Sequence, residues 1–356
     1  MEFQEKLVSY EEVKSGKIEG GGYAKMEDAR KAAFLANPNL ADYSQSMMAL
    51  LMADGKAVAR IMLFDTRIKT GEGVFAAGSG SSLHVSKEYR KYNLGADLMM
   101  QETPHDYRLF AGISDMALPL YKVMRYKILE YPRMMLLCNS RCILEMKGLK
   151  GIMLNITASL VNIPLRLLTA FNKARSRSLI KRFEVKKESV VPEWVDDMVL
   201  NDGHKYMEVH DKAWLQWNLD YHYKDDPQDI QSFYSIYKGG IPVGFFMTKE
   251  RFRKNAGGQL KNLILAAIVE WGIDKNCKEL DETILYKMAL STFTKNVDII
   301  EFATTDLEVC KKMKRWGFIK HGFAHIAFQD KKKNCKDAGN IELWRIRYGY
   351  ADVILT

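Results

Sequence analysis

The stretch GSGSSLHVSKEYRKYNLGADL, from Gly78 to Leu98, decides how this chain is read. A strand pattern of alternating polar and apolar residues ends at Val85. The basic turn Arg90-Lys91-Tyr92-Asn93-Leu94-Gly95 follows it, and a helical pattern opens behind the turn. Strand, basic turn and helix start together form an anion-binding device. The first backbone N–H groups of a helix have no intrahelical partners, and its positive end favours a phosphate.

Working outward, Met26 to Ala36 reads as a helix between Gly20-Gly21-Gly22 and Asn37-Pro38. Ser46–Met52 and Lys56–Asp65 read as strands flanking Ala53-Asp54-Gly55, a hairpin signal, and Gly73–Val85 as a third strand whose glycines mark bulges or close approaches. Downstream, Leu94–Gln101 reads as helix, Tyr107–Ile113 as strand, Met116–Arg125 as helix with Pro119 in its first turn, and Met134–Leu144 as strand. The order then repeats. Phe183–Lys187 is a strand, Glu193–Leu200 a helix, and Phe233–Tyr237 and Ile241–Lys249 flank Lys238-Gly239-Gly240. Leu260–Trp271 is an apolar strand, Lys278–Ser291 a helix, Val297–Ala303 a strand, Leu307–Trp316 a helix and Ala324–Gln329 a strand. The segment from Ala111 to Asp115 matches the one from Phe302 to Asp306, with Tyr121 facing Met313 and Arg125 facing Gly317. The pattern predicts a mixed α/β fold built as a tandem duplication, each copy with a central mixed sheet flanked by helices. Residues 1–148 form the first copy, 149–182 a helical and basic linker, and 183–356 the second copy.

Length and composition agree with two folded units: 356 residues, 47% hydrophobic and 27% charged. The formal charge of +9 favours anionic ligands, but without a dense basic face interleaved with aromatics it does not point to DNA. Five scattered cysteines and an acidic start, MEFQEKLVSYEEV, predict a reduced, cytoplasmic protein without a secretory signal. Cys138 and Cys142 have no partner pair downstream, and His321 and His325 straddle a turn, so no metal is expected. The run from Leu149 to Phe171 is long enough to span a bilayer, yet Lys150, Asn155, Asn162, Pro164 and Arg166 interrupt it. It reads as a buried or interdomain helix pair broken near Pro164, with a membrane-surface segment as the second reading, because seven basic residues follow from Lys173 to Lys187.

This order of helix, hairpin, long strand, basic turn, helix, strand and helix resembles the Gcn5-related N-acetyltransferase superfamily, over nearly the whole chain as two copies. In that family the turn reads Arg/Gln-x-x-Gly-x-Gly/Ala; Arg90 and Gly95 fit, and Asn93 stands for the first glycine. Asn tolerates a left-handed backbone better than other side chains, so the turn survives the replacement. The resemblance implies an N-acyltransferase that takes acetyl-CoA as donor and passes the acetyl group to a primary amine of a small-molecule or peptide acceptor. It implies that the strand edge at Leu83, His84 and Val85 pairs with the pantetheine arm. The amides of Tyr92, Asn93, Leu94, Gly95 and Ala96 then grip the pyrophosphate, with Arg90 and Lys91 adding charge. Tyr121 matches the tyrosine that protonates the departing thiolate, and Asp115 replaces an asparagine and caps the following helix. His84 is the candidate base for the amine.

Read without the resemblance, Arg90-Lys91 is a solvated turn and Tyr121 a packing residue. The second copy departs from the pattern: its turn region, GIDKNCKELDE, is acidic and lacks a second glycine, and Met313 stands where Tyr121 does. It is expected to shape the acceptor site rather than hold CoA. Between the copies, Tyr206 to Asn218 is rich in aromatic and hydrogen-bonding groups and reads either as an acceptor groove or as core. Two other functions fit the same fold: a Fem-like transferase using aminoacyl-tRNA, favoured by the basic run 173–187, and a non-catalytic binding protein.

Overall fold

Two short turns set the sheet of each half. Asp54 and Gly55 have φ of +49° and +72°, and Gly239 and Gly240 have +58° and +79°. Each pair closes a two-residue hairpin loop, with Ala53 opposite Lys56 in the first half and Lys238 opposite Ile241 in the second. Positive φ at both central residues matches the right-handed twist of the flanking strands. The structure, a computed structural model, describes residues 2–100, 105–221, 229–255, 261–294 and 296–350. The expected ends at Gln101 and Leu260 lie outside the described residues.

From the first half come β1 (Gln4–Ser9), β2 (Ser46–Ala53), β3 (Lys56–Thr70), β4 (Gly73–Val85), β5 (Tyr107–Ala111) and β6 (Lys127–Leu137). From the second come β7 (Glu184–Glu188), β8 (Met207–Glu208), β9 (Ile230–Lys238), β10 (Ile241–Asn255), β11 (Lys261–Ile273), β12 (Ile299–Ala303) and β13 (Ile319–Asp330). All join one continuous sheet, in the order β1-β2-β3-β4-β5-β13-β6-β12-β11-β10-β9-β7, with β8 pairing on β3. The order is symmetric about its centre, where β13 and β6 run antiparallel. Each half has one parallel pair, β4 with β5 and β11 with β12. The two copies therefore share a sheet by exchanging strands: β13 sits between β5 and β6, and β6 between β13 and β12.

The helices α1 (Tyr10–Ser15) and α2 (Asp28–Leu35) precede β2, α3 (Leu94–Met99) and α4 (Leu118–Val123) flank β5, and α5 (Arg141–Met146) follows β6. The long α6 (Gly151–Ile180) joins the halves, and α7 (Trp194–Leu200), α8 (Lys212–Tyr221), α9 (Glu282–Ala289) and α10 (Leu307–Lys314) belong to the second. Three sequence expectations change here. The strand expected at Met134–Leu144 is β6, which starts earlier and is followed by α5, because an apolar run of this length fits strand and helix alike. The expected break near Pro164 is absent: α6 runs 30 residues through it. Proline removes one helical hydrogen bond, and the flanking turns packed on the protein keep the helix intact. The third concerns the segment 206–218, where Tyr206, Met207, Val209, His210, Trp214 and Leu215 are fully buried and the groove reading fails. Trp214, Leu215 and Trp217 pack with Phe64 of β3 and with Phe233, Phe245 and Met247 of β9 and β10, so this segment is the shared core of both halves.

Within that core lies a buried ion cluster. His210 forms an ion pair with Glu270 through Nδ1 and with Glu208 through Nε2 at 3.0 Å, and Arg347 Nε reaches Glu270 at 2.6 Å. Thr66 of β3 donates to Glu208 at 2.7 Å, and the Trp214 ring stacks on the imidazole at 4.9 Å. Burial alone would pull the His210 pKa down; the two carboxylates override it and hold it up at about 9. Two cations facing two carboxylates balance in charge, and removing one member leaves the others uncompensated. Glu270→Ala is expected to lower unfolding free energy by about 3–5 kcal/mol in urea titration. Because the folded pKa of His210 is raised, its contribution is complete below the unfolded value of about 6.5. It is lost as pH rises through about 9. Wild type is thus expected to lose stability over that window, and His210→Ala to lose the dependence.

Candidate active site

The geometry of the first half turns on a defect in β4. Arg60 of β3 pairs with His84 and Met62 with Ser81, so Ser82 and Leu83 together stand opposite Ile61. Such a bulge bends a strand and frees backbone groups, and Ser82 carries it with φ of +51°. The glycines expected to mark it lie just before. Parallel pairing of β4 with β5 stops at Ser79 and Leu109, so beyond that point the two strands part and leave a slot. Gly80 admits the Phe110 ring at its rim: a Cβ there would meet the ring at 2.3 Å.

The turn after β4 is built as the sequence predicts. Lys87–Tyr92 forms a short 3-10 turn, Asn93 adopts φ +57° and ψ +23°, and α3 begins at Leu94. Asn93 thus supplies the left-handed residue that the motif fills with glycine. Arg90 Nε donates to the Val85 carbonyl at 3.3 Å, which folds the turn back over the strand end. Lys91 Nζ lies 5.0 Å from the Tyr92 ring. Arg90, Lys91, Tyr92 and Asn93 are exposed, Leu94 is buried, and Gly95 and Ala96 are half-buried. A Cβ on Gly95 would lie 3.8 Å from Leu120 and 3.9 Å from Leu83 and Val85, so the turn, the strand end and α4 meet at this residue. Phe3 and Tyr89, which the sequence did not single out, pack with Tyr92 at 5.3 and 6.4 Å beside the basic turn.

The expected catalytic side chains divide between the two faces of the sheet. Tyr121 sits on α4 in the core with α3, 5.3 Å from the Phe110 ring and 5.4 Å from Tyr126. Burial raises its pKa, as does Tyr126, so its hydroxyl stays protonated. His84 is exposed on the opposite face and stacks on Tyr23 at 6.0 Å. Desolvation first, then Arg60, Arg30 and Arg90, hold its pKa below the ordinary value, so it is a neutral imidazole. Beside it, Gly22, Tyr23, Asp54, Lys56, Ser86 and Glu88 line part of a cleft of about 570 Å³. Asp115 does not cap α4. Among the described residues no side chain does; Ser114 closes the turn before it, its carbonyl accepting from Ala117 and Leu118 and its hydroxyl from Ala117. Ala111 closes β5 as Ala303 closes β12, so Ser114 corresponds to Asp306, which caps α10 by accepting from Glu308 and Val309. The same alignment keeps Tyr121 opposite Met313 and Arg125 opposite Gly317, both left-handed at φ +61° and +84°.

The second half repeats the slot and fills it. Parallel pairing of β11 with β12 stops at Ala267 and Glu301, and Val269 is a bulge between Ile268 and Glu270. Trp271 Nε1 donates to the Tyr286 hydroxyl at 3.0 Å, which donates to the Ala303 carbonyl at 3.0 Å, bridging the two parted strands. The Arg345 guanidinium covers the Trp271 ring at 3.6 Å, and Gly349 N–H donates to the Val269 carbonyl at 2.7 Å. The start of α9 is occupied by Asp281, which accepts from Ile284 N–H. Among the described residues no group of three or more His, Cys, Asp or Glu is placed to hold a metal.

No protein-family model matches the sequence, and no curated protein matches it. Solved structures match the fold. Saccharomyces cerevisiae N-myristoyltransferase with bound myristoyl-CoA superposes with a TM-score of 0.56 at 11% identity, covering 92% of this chain and 82% of that one. A GCN5-related N-acetyltransferase from Anabaena variabilis does so with a TM-score of 0.54 at 9% identity, covering 93% and 73%. The chain has the Gcn5-related N-acyltransferase fold. The likeness covers more than nine-tenths of this chain.

A turn that depends on a left-handed residue gives a test of this loop. Asn93→Gly is expected to keep stability within a few tenths of a kcal/mol, whereas Asn93→Val is expected to cost about 1–2 kcal/mol in urea titration.

Proposed function

We propose that this protein is an N-acyltransferase that binds acetyl-CoA in its first half and transfers the acetyl group to a primary amine. The observation that carries the proposal is the parted β4–β5 slot with its bulge at Ser82, opening onto a left-handed turn whose Arg90 and Lys91 have no acidic partner among the described residues. An extended thiol arm fits an unpaired strand edge at Leu83 to Val85, where backbone groups replace the missing partner strand. The turn amides from Tyr92 to Ala96, with Arg90 and Lys91, then meet the phosphates. Bound structures of the yeast N-myristoyltransferase hold myristoyl-CoA, which supports an acyl-CoA donor. An acetyl group is supported by the similar fold of a GCN5-related N-acetyltransferase, and the cavity against Ile61, Leu63, Leu98, Met99 and Phe110, at about 10 Å³, is too small for a long acyl chain.

Chemistry divides between the faces. The amine enters from the cleft beside Tyr23, where neutral His84 accepts a proton from its ammonium form. The free amine attacks the thioester carbon, the tetrahedral intermediate collapses with departure of the thiolate, and the proton left on the attacking nitrogen passes to water, from which Tyr121 is reprotonated after each turnover. Tyr121, kept protonated by burial, protonates that thiolate from the opposite face. The second half takes no CoA in this reading, because its slot holds Trp271 and Tyr286 and its helix start holds Asp281.

Calorimetric titration with acetyl-CoA tests the donor site. Gly95→Ala fits the observed spacing and is expected to bind like wild type. Gly95→Glu places a carboxylate at the phosphate turn and is expected to weaken binding at least about tenfold. A folded wild type that binds no acyl-CoA overturns the proposal.

The base has its own signature. A lowered His84 pKa keeps the imidazole neutral below pH 6.5, so kcat/KM is expected to hold to below that value and then fall with acid. His84→Ala removes this limb, whereas Tyr121→Phe retains it while lowering kcat at least about tenfold.

A further inference from the structure

Helix α6 is amphipathic in the wrong sense for a soluble protein. Its polar side chains face inward. Asn162 accepts from Ser140 N–H at 2.7 Å and from the Ser140 hydroxyl at 2.8 Å, and donates to Asn139 at 2.7 Å. Asn172 donates to the Trp316 carbonyl at 2.7 Å, Ser176 to the Lys287 carbonyl, and Lys173 to the Phe293 carbonyl at 3.0 Å. The opposite side carries Ile152, Ile156, Leu160, Ile163, Leu167 and Phe171, each more than half exposed. Spacings of three and four residues place them in one stripe along a helix about 45 Å long. A contiguous apolar face of this size marks an interaction surface.

Charge chooses the occupant. Arg166 and Arg177 flank the stripe on one side and, with Lys173, line a cavity of about 600 Å³ against Thr294, Asn296 and Val297. Arg175 flanks it on the other side, lying over the rings of Phe171 at 5.3 Å and Trp316 at 4.4 Å. Among the described residues neither Arg166 nor Arg177 has an acidic partner. Two such faces would bring like charges together, so a second copy of the chain is disfavoured, whereas anionic headgroups above an apolar layer match both features. α6 is long and apolar enough to cross a membrane by length and composition. Crossing would break the inward hydrogen bonds of Asn162, Asn172 and Ser176, so the helix must lie along the surface instead.

We propose that α6 docks the protein on an anionic bilayer, its Ile152-to-Phe171 stripe in the acyl boundary and Arg166, Arg175 and Arg177 among the headgroups. This extends the membrane-surface reading of the sequence and does not depend on the acyltransferase activity.

Co-sedimentation of the full chain with vesicles tests it. Binding to phosphatidylcholine vesicles containing phosphatidylglycerol is expected to exceed binding to phosphatidylcholine alone at least about tenfold, and to weaken with salt. Leu160→Glu/Leu167→Glu and Arg166→Glu/Arg177→Glu alter exposed residues, so both are expected to keep the wild-type circular dichroism and melting. Each is expected to lose at least about tenfold in vesicle binding. Equal, weak sedimentation with both vesicle types overturns the proposal, as does anionic binding that both folded variants retain. So does a wild-type dimer by light scattering that Leu160→Glu/Leu167→Glu converts to monomer, because the stripe would then join two copies.

Discussion

The antiparallel pairing of β6 with β13 is the constraint on which the rest of the molecule depends. Register runs from Met135 opposite Ile319 to Lys127 opposite Phe328, with one irregularity between Lys320 and Phe323. Each of these strands also hydrogen-bonds to the parallel pair of the other half, β6 to β12 and β13 to β5. Neither half closes its own sheet, because the strand that lies against β5 is made by the last third of the chain. The slot between β4 and β5 is therefore held open from both sides: by the bulge at Ser82, and by β13, which fixes β5 from its far edge. Long-range pairing of this kind makes the two halves fold and hold together as one cooperative unit.

Much of this was legible because it is local. Hairpin turns at Asp54-Gly55 and Gly239-Gly240, the strand ending at Val85, the left-handed Asn93 and the helix at Leu94 each follow from residues a few positions apart. What was not legible is long-range or relational. Nothing around Lys127 or Ile319 announces that these strands change places, since their alternation suits either partner. His210, Glu208 and Glu270 look like separate polar residues until β8 and β11 bring them into contact. Asp115, read as a cap from the family pattern, lies in the turn before α4, and strand ends, which a sequence does not mark, put Ser114 rather than Asp115 opposite Asp306. Pro164 misled for the opposite reason: a local helix-breaking preference of a few kcal/mol was outweighed by tertiary contacts on the inward face of α6.

Duplication explains how one slot can stay open while its counterpart closes. Both halves have a bulge and a parallel pair that parts, at Ser79 and Leu109 and at Ala267 and Glu301. In the first half the turn beyond is basic, glycine-containing and exposed. In the second the corresponding space holds Trp271 and Tyr286, and Asp281 takes up the start of α9. An amide that already meets a side-chain carboxylate has little left to offer a phosphate, and the charge at that helix start has been neutralised.

Filling the second slot also creates a foothold for the C-terminal segment. Arg345 lies on Trp271, Arg347 reaches Glu270, and Gly349 N–H pairs with the Val269 carbonyl, the bulge residue left without a strand partner. Glu270 in turn holds His210, which stacks on Trp214 in the core that both halves share. The bulge that frees a strand edge for a ligand in one copy thus frees it for the chain itself in the other. A buried charge cluster is seldom the most stabilising way to fill such a volume, because its ions must be taken out of water. It does restrict pairing: Glu270 is satisfied only when β8, β11 and the C-terminal segment arrive together. Its value lies in fixing how the second half seats against the first, and with it the position of β13 beside β5.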